Sequence, residues 1–66
     1  MNFAWGVTVS IPNDPMILLS YVNTQLRDYY SSLEEFCKSL GENADEIKLK
    51  LASIDYEYNA ELNRFV

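Results

Sequence analysis

From Trp5 to Ile11 every second residue is large and apolar: Trp5, Val7, Val9 and Ile11, with Gly6, Thr8 and Ser10 between them. Alternation at period two is the pattern of a strand with one buried face. Pro12 lacks an amide hydrogen and stops the ladder. Asn13-Asp14-Pro15 then reads as a helix start. Asp14 can accept from the free amides of the first turn, and Pro15 at the first helical position lacks only a hydrogen that would find no partner there. The spacing predicts a first helix from about Pro15 to Tyr29. At about 100° per residue, Leu19, Val22, Leu26 and Tyr30 share one face with Leu18 beside them, while Ile17 and Tyr21 point nearly the other way. The helix is apolar on two sides. Its second face either packs on the N-terminal strand or forms a surface for a second copy or a partner.

Ser31-Ser32-Leu33-Glu34-Glu35 offers capping boxes in two registers, Ser31 with Glu34 or Ser32 with Glu35. Leu33, Phe36, Cys37 and Leu40 repeat at helical spacing, and Gly41 supplies the left-handed residue that ends such a helix. Asn43 can cap a third helix, with Glu46 as box partner and Ala44, Ile47, Leu51 and Ile54 on the inner face. Leu49 sits roughly 160° from the centre of that face and has no evident home. Tyr56-Glu57-Tyr58 and Arg64-Phe65-Val66 are short alternating runs around Asn59 and Asn63, residues that tolerate turn conformations. They predict a terminal hairpin, marginal alone and able to join the Trp5 to Ile11 strand in a three-stranded sheet across the first helix. The fold class expected is α+β, with three helices in a helix-turn-helix-like arrangement plus a small antiparallel sheet.

Sixty-six residues make one domain, and a domain this small buries only roughly 60% of the surface of its unfolded chain. Disulfides, metal or association commonly supplement so thin a core. One cysteine and no histidine leave association as the favoured supplement. Ten acidic against five basic side chains give a net charge of −5, with Arg27, Lys38, Lys48, Lys50 and Arg64 dispersed. That balance disfavours a phosphate backbone and an anionic membrane surface. The longest apolar run, Met16 to Leu19, is far short of the roughly 20 residues that cross a bilayer. Without a secretory pattern or paired cysteines, the chain reads as cytoplasmic and not as a membrane protein.

Catalysis needs a nucleophile with its base, paired acids or a metal shell. Cys37 lies on an apolar helix stripe with no histidine to activate it, and Glu34/Glu35 and Asp45/Glu46 fall in first helical turns, where negative charge complements the helix terminus. No catalytic residue, cofactor or metal is expected. A helix-turn-helix outline is present, since Cys37 and Gly41 lie four apart with Ile47 behind, but the outward side of the third helix carries Asp45, Glu46, Lys48, Leu49 and Lys50, whose charges cancel. Base readout needs Arg, Asn or Gln over a cationic footing. Asn23 and Arg27, one turn apart, form a candidate polar site able to hold a carboxylate or phosphate. The competing expectation is that Arg27 ties the first helix to an acidic residue of the second helix or the hairpin, with Asn23 bonding backbone. Trp5, Tyr56 and Tyr58 read as core or sheet-face packing.

The run Pro12-Asn13-Asp14-Pro15, with Leu18-Leu19-Ser20, Asn23, Leu26-Arg27-Asp28, Tyr30 and Ser32-Leu33, resembles the signature of a family of very short bacterial proteins classified only as a domain of unknown function. Leu51 to Tyr58 and Asn63-Arg64-Phe65-Val66 are similar to that family's ending. The resemblance implies fold and bacterial origin, the family having no established activity. Residues before Ile11 depart from it, because the family's members begin close to the Pro-x-Asp-Pro segment. Residues 1–11 are accordingly a strand or an added segment, and residues 12–66 the family-like core of a single domain.

The function expected is a non-enzymatic interaction or regulatory module acting through protein contacts; the alternative is a winged-helix nucleic-acid binder. A homodimer or a protein partner is expected, with Trp5, Ile17, Tyr21 and Leu49 as interface candidates.

Overall fold

A computed structural model describes residues 11–66. The expected N-terminal strand lies, apart from Ile11, outside the described residues, and so does Trp5. The described chain is an α+β fold in the order α1 (Pro15–Asp28), α2 (Leu33–Leu40), α3 (Ala44–Ala52), β1 (Tyr58–Asn59) and β2 (Arg64–Phe65).

Each helix begins where a side chain satisfies amides that have no helical partner. Asp14 Oδ1 accepts from Met16 N at 2.9 Å and Ile17 N at 3.4 Å. Ser32 Oγ accepts from Glu35 N at 3.1 Å, so of the two registers open at the second helix the chain uses the later one. Asn43 Oδ1 accepts from Asp45 N at 2.8 Å and Glu46 N at 3.3 Å. Gly41 ends α2 at φ +70°, a conformation that costs an L side chain roughly 1–2 kcal/mol.

The core is Leu18, Val22 and Leu26 of α1, Leu33, Phe36 and Cys37 of α2, Ile47 and Leu51 of α3, and Phe65 of β2. Helix α1 is its centre, touching β2, α3 and α2. Its buried stripe is turned from the expected one: Leu18 is wholly buried, while Leu19 and Tyr30 are half-buried. The cause is packing on two flanks. On one, Tyr21 and Tyr30 meet the Phe36 ring edge-on, with centroids 6.1 and 5.5 Å apart. On the other, Asn23 reaches β2. Tyr21 therefore belongs to the margin of the core and not to a second outward face, whereas Ile17 stays exposed.

In the hairpin, Tyr58 stands opposite Phe65 and Asn59 opposite Arg64. Glu57 and Val66 exchange both backbone hydrogen bonds at 2.9 Å. Because bonded and non-bonded pairs alternate along an antiparallel ladder, Tyr58 and Phe65 turn their amides and carbonyls away from each other. On the β2 side Asn23 takes both groups: Oδ1 accepts from Phe65 N at 2.8 Å and Nδ2 donates to Phe65 O at 3.1 Å. One side chain thus stands in for a strand residue. Asn63, at φ +54°, donates Nδ2 to Leu26 O and Tyr30 O at the end of α1, at 3.1 and 2.9 Å. Its Oδ1 accepts from the Tyr58 hydroxyl at 2.7 Å, and the Tyr58 oxygen accepts from Leu33 N at 3.2 Å. The end of α1, the hairpin and the start of α2 are joined in one network.

Asn63→Ala strands two helix carbonyls and the Tyr58 hydroxyl, so urea unfolding should show a loss of roughly 2–3 kcal/mol. Asn59→Ala removes one exposed bond to Leu62 N and should cost under about 1 kcal/mol. Equal losses would mean that the network does not carry the hairpin.

Candidate functional site

Beyond the end of α3 the chain turns at a left-handed Asp55, φ +66°, and Tyr56 N donates to Leu51 O at 3.0 Å. That six-to-one bond is the Schellman closure of a helix end, and it fixes the start of the hairpin beside the end of α3. From there β1 and the helix diverge. Between them lies an open groove of about 580 Å³, walled by Lys48, Leu49 and Ala52 of α3 and by Tyr56 and Tyr58, with Phe65 at its floor. Asp45 and Glu57 stand on its rim. A second hollow of about 270 Å³, lined by Leu33 and Ala60 among others, shares Lys48 and Tyr58 with the first. The two hollows meet at Lys48 and Tyr58.

Among the described residues the outer edge of β1 is unpaired at Tyr58. Tyr56 and Tyr58 have the same parity on the strand, so their amides leave β1 on the same side. The Tyr56 amide is taken by Leu51 O. The Tyr58 amide and carbonyl have no protein partner among the described residues. Leu49, the residue without a home in the sequence, is 72% exposed and forms part of the groove wall.

The other candidates fall elsewhere. Ile17 is exposed on the first turn of α1, outside the groove, and Tyr21 packs on Phe36. Asn23 and Arg27 line a cavity of about 450 Å³ with Asn63 and Arg64. The Asn23 amide there is engaged by Phe65. Arg27 does not tie α1 to another element: its Nε and Nη2 both donate to the carboxylate of Asp28, each at 2.9 Å, and its side chain is largely exposed. The adjacent acid lies closer than any carboxylate of α2 or the hairpin, which corrects the clamp expected of Arg27. The hydrogen bond from Arg27 holds the Asp28 carboxyl below its ordinary range. The tie across the fold is made by Asn23 and Asn63.

Cys37 is buried, and burial first, with Glu42 behind it, pushes its thiol up against a smaller opposing effect of Lys48. Glu34, Glu35, Asp45 and Glu46 occupy first helical turns, as read. Outward on α3, Lys50 donates Nζ to Asn13 Oδ1 at 2.9 Å. Sequence reasoning missed the free edge at Tyr58 and the bridging role of Asn63. The only signal for the groove was Leu49 itself, apolar and off the helix stripe.

Two outcomes follow. Arg27→Met should leave the thermal midpoint unmoved, because an exposed pair between neighbours holds no elements together; a clear drop would restore a clamp role. The Cys37 thiol should react with a thiol reagent only at the rate of global unfolding, since the thiolate is disfavoured and covered; rapid labelling of the folded chain would contradict its burial.

No helix among the described residues is long and apolar enough to cross a membrane. No curated protein and no solved structure matches the chain. A family model does, over residues 12–65, the span that holds all three helices, both strands and the groove between them: the chain belongs to the family described as Domain of unknown function (DUF4250).

Proposed function

We propose that the chain is a cytoplasmic, non-enzymatic interaction module that receives an extended protein segment along the outer edge of β1. The observation that carries this reading is the open amide and carbonyl of Tyr58 beside an apolar groove walled by Leu49 and Ala52. Strand addition of this kind draws affinity from main-chain hydrogen bonds and specificity from hollows that accept alternate side chains. A helix flanking the open edge supplies the second wall. Leu49, 72% exposed, then has a role that no packing within the described fold gives it. The chemistry of the wall favours an apolar segment, because Leu49, Ala52, Tyr56 and Tyr58 line it.

A random peptide library screened against sparsely immobilised chain should enrich uncharged sequences with apolar residues at every second position. Leu49→Arg should lose them. Enrichment that ignores this substitution would place binding elsewhere, and salt-sensitive retention of duplex DNA in its stead would favour the nucleic-acid alternative.

A further inference from the structure

We propose that the groove beside β1 is filled by Phe3 to Val9 of a second copy of this chain, two copies exchanging these arms about a two-fold axis. The inference rests on the interaction reading above and names its occupant.

The chemistry of the segment fits the groove. No charged side chain occurs from Asn2 to Asn13, and Phe3, Trp5, Val7 and Val9 alternate with Ala4, Gly6 and Thr8. Extended, such a segment sets four bulky apolar groups on one face and small ones on the other. The groove offers Leu49, Ala52 and Tyr56 to the bulky face and the open Tyr58 groups to the backbone. On a chain of net charge −5, an uncharged segment is also what a second copy can bring close without repulsion.

Reach decides between the chain's own arm and its neighbour's. Ile11 packs on the core along the flank of α3 that carries Glu46, Ile47 and Lys50, and Lys50 holds Asn13 there. The groove opens on the opposite flank, with Lys48 and Ala52. A chain leaving Ile11 for its own groove must pass over the outside of α3. Half the circumference of a helix about 10–12 Å across is roughly 16–19 Å, which takes about five extended residues. The crossing would take Ser10 to Gly6 and leave only Phe3 to Trp5 of the patterned segment to meet the edge. An arm from a second copy enters with its full length, and one two-fold operation fills both grooves. The family match begins at residue 12, so the groove lies within the matched span and the arm before it.

Trp5 is the chain's single tryptophan, so intrinsic fluorescence of the intact protein reads the arm directly. At high micromolar concentration the emission should be blue-shifted and the scattering mass twice 7.6 kDa. On dilution, emission and mass should revert together. Leu49→Arg and Ala52→Arg alter exposed side chains, so helical circular dichroism should persist while dimerisation weakens by about tenfold or more and the emission moves to the red. Ile17→Arg should change neither. Blue emission from a species of single-chain mass at every concentration would place the arm in its own molecule and overturn the exchange, as would a dimer indifferent to both groove substitutions. A water-exposed Trp5 at all concentrations, with peptide selection still dependent on Leu49, would end the exchange and leave the interaction reading standing; loss of both would end that reading too.

Discussion

Two strands of two residues each cannot hold together in water on their own ladder, and the hairpin side of this fold depends on side-chain amides shared with α1. Asn23 pairs with both backbone groups of Phe65, and Asn63 satisfies two carbonyls where α1 ends. Burial of Phe65 supplies the larger free energy, since losing a core Phe side chain typically costs about 3–5 kcal/mol. Burial is non-directional, however. The hydrogen bonds fix the angle at which the hairpin meets α1, and that angle sets the distance between β1 and α3.

The groove is therefore a product of three ends. Asn63 fixes the end of α1, Asp55 turns the chain at the end of α3, and the Tyr58 hydroxyl reaches the first amide of α2. Tyr58 holds its strand through its ring and hydroxyl, 5.4 Å from the Phe65 ring and bonded to Asn63, while its backbone has no partner among the described residues. Anchoring and exposure fall on different parts of one residue. An edge held this firmly is pre-organised, so a segment that pairs with it orders only itself.

What the sequence made legible was decided within a turn or two of chain. Asp14, Ser32, Asn43 and Gly41 cap helices through bonds to residues two to four positions away. The stripe of Leu33, Phe36 and Cys37 is equally local. What sequence reading left without a partner was decided across the fold. That Asn23 bonds backbone was read, but its partner Phe65 lies 42 positions away. Asn63 and Leu26 are 37 apart, and no spacing rule connects either pair. The error over Arg27 has the same origin: a long cation was expected to reach far, but Asp28 beside it satisfied the guanidinium first. Leu49 was recognisable as surplus to its helix, yet the groove it walls is formed by a strand that begins only after the helix has ended.

By imitating a neighbouring strand, the Asn23 side chain closes one of the two edges of the sheet and gives it a valence of one. A sheet with two open edges can accept a molecule on each side and grow without limit, the geometry of a fibre. With the Phe65 groups taken from within the molecule, a further strand can join the described hairpin only on the β1 side. On the described hairpin, a single asparagine of α1 decides on which side another strand can add.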